Sequence, residues 1–418
     1  MLRPERLIFR TNTFYLQRTG TWTASVQIGR LRLAGTEIAK GHFIFMGNTR
    51  KLKAALISAG MISNAAHIPA YKNLAADVDL VAVCDINETA ANETAQRHGI
   101  PHVFTDAKTM LETIQPDIVS VCTSNSSHKA LSLLALEHGA NVICEKPVAI
   151  TYQDAVELYD TAKRCNRMLV ACQTVRYYPE HLVAKDIVSS GILGDIYFAE
   201  LSRIRRRGLP AWGNFHKKAI NGGGALCDIG VHLIDAILWI MGNPKMEAVT
   251  GIKTNRIARS GESLIFSMAE AGAPAGVFGK EASYKPEEFE TEEFGAGAIR
   301  LEGGGVLNFK VGWAANLPNS TTMSIAGDKA GILVPELKII SSVCKYQADI
   351  EPRWFNEGKY KDKVFYGHWY LIENVVDAIL GRAELMVKPE ETINVAAIID
   401  AFYRSTDLGR EVTFKELV

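Results

Sequence analysis

The stretch LISAGMISNAAHIPA, Leu56–Ala70, decides the fold: it is either a phosphate-binding turn or an ordinary strand end. Such a turn lets the backbone approach a pyrophosphate closely and aims helix-start N–H groups at it, which is why its fingerprint is G-x-G-x-x-G. Here Ser58, Gly60 and Ser63 hold the three positions, with Met61 and Ile62 between the last two. One glycine of three is weak by itself. The next apolar run, VDLVAVCD, ends on Asp85, 25 residues beyond Gly60. An acidic side chain there accepts hydrogen bonds from the ribose hydroxyls of a bound adenosine. It also repels a 2′-phosphate, and DINETAAN supplies no Arg or Lys to hold one, so NAD is favoured over NADP.

Working outward, LKAALIS, VDLVAVCD, PDIVSVCTS and NVICEKP are apolar runs separated by helical segments, among them NETAANETAQRHG, stopped at Gly99, and SSHKALSLLALEHG. Apolar strands alternating with helices imply a parallel sheet covered on both faces. Its ligands lie beyond the carboxyl ends of the strands. After about residue 172, GDIYFAELSRIRR, AGAIRLEGGGVLNFKVGWAAN and TTMSIAGDKAGILV read as antiparallel strands joined by Gly- and Asn-containing turns. The helical ALCDIGVHLIDAILWIMG lies between them, and INVAAIIDAFYRSTDLG reads as a closing helix that ends at Gly409. The expected fold is α/β, with a Rossmann doubly wound parallel sheet over 51–171. An α+β domain with an open, mainly antiparallel sheet, serving substrate binding and oligomerisation, is expected over 172–418.

Composition narrows the function. Lys plus Arg equals Asp plus Glu at 46 each, so no charge field draws the chain to nucleic acid or an anionic membrane, and a small ligand fits better. The seven cysteines form no C-x-x-C pair and lie mostly in apolar runs, as in a cytoplasmic protein with reduced thiols; no metal or disulfide framework is expected. No apolar run is expected to approach the roughly 18–20 residues of a membrane span. Residues 1–45 carry seven basic residues against Glu5 and Glu37. The stretch 1–50 is therefore an extension of doubtful status, either a targeting segment or chain upstream of a true start at Met46.

VICEKPVA (142–149) and GGGALCDIGVHLIDAILWIMG (222–242), with the loop and Asp85, resemble the Gfo/Idh/MocA family of nicotinamide-dependent sugar and cyclitol oxidoreductases, and the likeness runs from Lys51 to Val412. The resemblance implies that Lys146 is the active-site lysine, Asp228 its neighbouring acid and His232 the acid/base. It implies a cis Pro147 beside Glu145. Cofactor contacts are expected at Ser58, Gly60, Met61, Ile62, Asp85, Thr123, Ser124, Asn125, Glu145 and Lys146. His128 reads equally as a contact to the nicotinamide ribose or substrate and as a helix-entry residue. Ser58 departs from the family's usual glycine, and Ser124 from its usual proline.

The chemistry of these residue types agrees. Asp228 and His232, four apart, share a helix face. Gly222, Gly223 and Gly224 are expected to leave backbone open to a ligand. Histidine suits removal of a hydroxyl proton while hydride leaves the same carbon. Partial desolvation is expected to shift Lys146 downward in pKa. Arg176 and Tyr177, just past the domain junction, are expected to touch substrate, and Trp212 and His216 to line its pocket. RIRRRG (203–208) reads as a solvated charge run rather than an anion site, and Trp313 as packing or a subunit contact.

These residues lead to an NAD-dependent dehydrogenase acting on a secondary hydroxyl of a sugar, sugar derivative or cyclitol, assembled as a homodimer or homotetramer. Two other readings stay open. One is an NAD-dependent glycosidase that oxidises transiently, eliminates the aglycone and returns the hydride. The other is a non-catalytic sugar- or nucleotide-sensing regulator of the same fold.

Overall fold

The structure, a computed structural model, describes residues 32–33, 36–37, 50–210, 213–260, 265–266, 285–353 and 358–418. The chain divides into two compact units, Met1–Lys51 and Leu52–Val418. Most of the first lies outside the described residues; what is described there is an antiparallel pairing of Arg32–Leu33 with Thr36–Glu37.

The second unit opens with six parallel strands: β1 (Leu52–Ile57), β2 (Val78–Cys84), β3 (His102–Phe104), β4 (Ile118–Val121), β5 (Asn141–Cys144) and β6 (Leu169–Ala171). Their order is β3-β2-β1-β4-β5-β6, so the chain reverses direction across the sheet between β1 and β4 and opens a crevice at their carboxyl ends. The apolar runs are buried on both faces, as a parallel sheet requires; every residue of β4 is buried. The crossovers are α1 (Ile68–Asn73), α2 (Glu88–His98), α3 (Ala107–Ile114), α4 (Asn125–Glu137) and α5 (Tyr152–Arg164). Side chains of Asn87, Asp106 and Thr151 accept from first-turn N–H groups of three of them, and Gly99 ends α2 at φ 65°.

Among the described residues the second sheet has nine strands: β7 (Ile196–Ile204), β8 (Met246–Thr254), β9 (Phe294–Leu301), β10 (Val306–Gly312), β11 (Ser320–Gly327), β12 (Gly331–Val334), β13 (Lys338–Val343), β14 (Tyr346–Ile350) and β15 (Val412–Thr413). Their order is β14-β13-β12-β11-β7-β10-β9-β8-β15, and every pairing is antiparallel except β7 with β10. Side chains alternate: Leu307, Phe309 and Val311 are buried under helices, while Lys310 meets Glu200 at 3.7 Å on the outer face. The remaining helices are α6 (Pro179–Ser189), α7 (Lys218–Asn221), α8 (Val231–Ile240), α9 (Tyr366–Ile379) and α10 (Pro389–Leu408), numbered along the chain. Of these, α9 returns to the first sheet, where Leu371, Ile372 and Val375 share a core with Tyr71, Ile143 and Val170.

One helical run, Lys218–Ile240, is apolar enough over 23 residues to match a membrane span, contrary to the sequence expectation, but 83% of its apolar window is buried within the protein. It is the core helix under the second sheet.

Candidate active site

Lys146 follows β5, and Asp228 sits in a π-helical turn, Leu226–Gly230, that leads into α8. They meet between the sheets. Lys146 Nζ donates to Asp228 Oδ1 at 2.9 Å and to the Asp228 carbonyl at 2.8 Å. Asp228 Oδ2 accepts from Trp313 Nε1 at 2.9 Å, so both carboxylate oxygens are fixed. Burial pushes the Asp228 carboxyl upward, but the Lys146 charge beside it wins and holds it below the usual range.

The expected downward shift of Lys146 is not found. Burial does pull the ammonium down, yet the charges of Asp228 and Glu145 outweigh it and raise the group. A lysine between two carboxylates stays charged and acts as a donor. His232 is the opposite case: burial first, then the Lys146 charge, hold its imidazole down to about 3, so it is neutral at ordinary pH. Among the described residues its Nδ1 is buried without a hydrogen-bond partner, so that nitrogen is not tied to a fixed group.

These three side chains line one cavity of about 580 Å³. Met61 and Ile62 from the turn after β1, Thr123 from the loop after β4 and Asn125 at the start of α4 line its other side. The cavity therefore reaches the point where strand order reverses, and it has the size of a ligand site.

The loop itself explains its unusual sequence. Ser58 adopts φ 103°, a conformation glycine accepts freely and L side chains rarely do, which is why a glycine is usual there. Its Oγ accepts from Gly60 N at 3.1 Å, using one of the turn's own donors. A Cβ on Gly60 would stand 3.2 Å from that oxygen. Asp85 accepts from Ala59 N at 2.7 Å and from Asn87 N at 2.8 Å, which fixes its carboxylate beside the turn. The tight loop, the carboxylate beyond β2 and the cavity mouth together fit a dinucleotide.

Several expected contacts lie elsewhere. His128 is fully buried, with Nδ1 2.8 Å from the Pro147 carbonyl and Nε2 3.0 Å from that of Thr123, so it braces two loops instead of lining the cavity. Burial works against its charge, but Cys144 and the two carbonyls push it up to about 9. Arg176 is 1% exposed and grips Asp235 through Nε and Nη2, both at 2.6 Å, with Glu391 on Nη1. It is a buried structural cation, not a substrate contact. Tyr177 is buried and donates to Asn374 Oδ1 at 3.0 Å; its neighbours Thr174, Val175 and Tyr178 line the cavity in its place.

Ser124 stands at the start of α4 with its Oγ 3.2 Å from Ser127 Oγ, and is not on the cavity wall. His216 is half-buried beside Phe215, which does line the wall. Trp212 lies outside the described residues. Nor do the three glycines open backbone to a ligand. A Cβ on Gly223 would meet Tyr403 Oη at 1.9 Å, and one on Gly224 would meet the Glu292 carbonyl at 1.9 Å. The Glu292 carboxylate accepts from Gly224 N and Leu226 N at 2.9 and 3.0 Å, so close packing is what needs the missing side chains.

The expected cis peptide is present at Lys146–Pro147. Glu145 lines the cavity, and its Oε1 is held by His67 Nε2 at 3.1 Å and His368 Nε2 at 2.9 Å. Those histidines, Trp313 as a partner of Asp228, and Arg203 and Arg205 on the cavity wall were not legible as site residues. Arg203 and Arg205 follow the strand period of two at the end of β7, the one signal that both side chains point the same way.

Residues 52–172 match the family described as "Oxidoreductase family, NAD-binding Rossmann fold", and residues 181–333 match "GFO/IDH/MocA C-terminal domain". The chain is similar to D-glucoside 3-dehydrogenase of Escherichia coli strain K12, at 29% identity over 86% of this chain and 97% of that one. It is also similar to D-apiose dehydrogenase of Paraburkholderia graminis, at 24% identity over 88% and 91% of the two chains. The solved oxidoreductase domain protein of Kribbella flavida shares the fold, with a TM-score of 0.72 at 20% identity over 87% of this chain and 99% of that one.

Proposed function

Given that the chain belongs to the Gfo/Idh/MocA family of oxidoreductases, whose first domain is an NAD-binding Rossmann fold, we propose that it oxidises a secondary hydroxyl of a pyranose sugar, glycoside or cyclitol. The observation that carries this reading is the convergence of a charged Lys146, fixed by Asp228, and a neutral His232 on one cavity that reaches the dinucleotide loop. Similarity to a D-glucoside 3-dehydrogenase and a D-apiose dehydrogenase supports a carbohydrate substrate.

NAD, when bound, supplies the hydride acceptor. Asp85 would hold its adenosine ribose, the turn Ser58–Ile62 its pyrophosphate, and Thr123 and Asn125 its nicotinamide half. His232 takes the hydroxyl proton on a ring nitrogen as the carbon–oxygen double bond forms. Lys146 Nζ donates to the reacting oxygen, and Asp228 keeps that ammonium charged and aimed. The apolar wall of Ile62, Phe215 and Leu233 excludes water from the reacting carbon.

The same reading assigns 51–171 to the cofactor and 172–418 to substrate and assembly. It describes a cytoplasmic homodimer or homotetramer that pairs through the outer sheet face bearing Glu200 and Lys310. A screen of sugars, glycosides and cyclitols with NAD and NADP, followed by absorbance of the reduced nicotinamide, tests it. Reduction of NAD in preference to NADP by at least one carbohydrate is expected. Glycoside cleavage without net absorbance change would assign a glycosidase, and NAD binding with no turnover across the panel would assign a regulator.

A further inference from the structure

We propose that His67, Glu145, Cys172 and His368 form a binding site for a divalent first-row transition metal, zinc foremost, at the wall of the cavity, where Glu145 and His368 face it. The proposal is independent of the dehydrogenase reading. Each of the four residues offers one donor atom; all four residues are buried, and their donor atoms lie within 4.8 Å of one another. They come from four separate places: the turn before α1, the ends of β5 and β6, and the first turn of α9. No sequence spacing announces such a set, which is why the cysteine pattern alone pointed away from a metal.

The distances suit an ion. With bonds of roughly 2.0–2.3 Å, neighbouring donors around a tetrahedral zinc stand about 3.3–3.6 Å apart. Glu145 Oε1 lies 3.1 Å from His67 Nε2 and 2.9 Å from His368 Nε2, and Cys172 Sγ lies 4.0 Å from His67 Nε2. Small side-chain adjustments bring these separations to coordination geometry. Two imidazoles, a carboxylate and a thiol suit zinc, and the two histidines with the carboxylate also suit iron or manganese.

Two further features favour a cation. The second nitrogen of His67 is already engaged: Nδ1 lies 3.0 Å from Ser120 Oγ, itself 2.8 Å from Tyr71 Oη, which leaves Nε2 aimed at the cluster. Metal-bound histidines are commonly oriented in this way. The hydrogen-bond partners of the buried Glu145 carboxylate are two imidazoles and the Lys146 peptide N–H at 3.2 Å, while the Lys146 ammonium is bound to Asp228. Burying a carboxylate is costly, and a divalent ion bound to it offsets that cost.

The test is metal content on untagged full-length protein, purified and then loaded with zinc, freed of excess by gel filtration and measured by mass spectrometry of the elements. About one ion per chain is expected, with X-ray absorption showing nitrogen or oxygen and sulfur neighbours. His368→Gln and Cys172→Ser, checked for folding by circular dichroism, should each lower the content sharply. Zinc should raise the Tm of chelator-treated wild type and leave that of His368→Gln unchanged. Folded wild type that retains no metal after loading and shows no Tm shift would overturn the proposal and leave the histidines as hydrogen-bond donors to Glu145 alone. Neither readout uses a sugar or NAD, so its failure and that of the dehydrogenase reading are distinguishable.

Discussion

Trp313 Nε1 donates to Asp228 Oδ2 at 2.9 Å, and the opposite oxygen of the same carboxylate receives Lys146 Nζ at 2.9 Å. A fully buried indole thus holds the acid that holds the lysine. Trp313→Phe keeps most of the ring volume and removes the donor. Losing one hydrogen bond to a charged group costs about 1.5–3 kcal/mol, so kcat should fall roughly ten- to a hundredfold with KM little changed. Steady-state kinetics check this; a variant that raises KM alone would show that the indole shapes the pocket only.

Ser58→Gly should relax the φ of 103° and return the Gly60 N–H to the turn. Relief of an unfavourable conformation of order 1–3 kcal/mol outweighs the extra backbone entropy of roughly 0.5–1 kcal/mol. A higher Tm and tighter NAD binding by calorimetry are expected; weaker binding would mean that the serine hydroxyl itself contacts the cofactor.

His232, held down to about 3, makes stability depend on pH. Its folded-state value lies below the ordinary 6.5, so the unfolded chain takes up the proton first as pH falls. Stability is therefore full above about pH 6.5 and is lost below it, at up to about 1.4 kcal/mol per pH unit. Denaturant unfolding between these pH values should show His232→Gln losing less than wild type. Parallel losses in the two proteins would remove His232 as the cause.

Arg176 tests the distinction between a substrate contact and a structural cation. Removing one partner of a buried ion pair costs about 3–5 kcal/mol. Arg176→Gln should lower the Tm by several degrees while the folded fraction keeps its KM. An unchanged Tm with a raised KM would restore the arginine to the substrate pocket.

Much of this was legible because it is local. The alternation of apolar runs and helices gives the first sheet directly, Gly99 and Gly409 stop their helices at left-handed φ, and the E-K-P and D-x-x-x-H motifs mark Lys146, Asp228 and His232. What was missed depends on distant partners. Trp313 reads as packing or a subunit contact until Asp228 is found against it, and nothing in the sequence marks His368 as a partner of Glu145. An arginine near a domain junction looks the same in sequence whether it faces ligand or a buried Asp235. At glycines 222–224 close approach is indeed what the missing side chains allow, but what approaches is Ile150, Tyr403 and Glu292 in turn, not a ligand. Helix α9 packs on the first sheet because its apolar residues complete that core, and only the folded chain shows which core they join.

On the proposed chemistry, His232 and Lys146 act on one hydroxyl in the cavity. Single-turnover reduction of NAD by the best carbohydrate of the screen, measured for His232→Ala and Lys146→Met alongside calorimetric NAD binding, tests it most directly. Rates lower by about 10²–10⁴-fold in each variant, with NAD affinity within a few-fold of wild type, are expected. Full hydride transfer in either variant would leave that side chain with no part in the reaction.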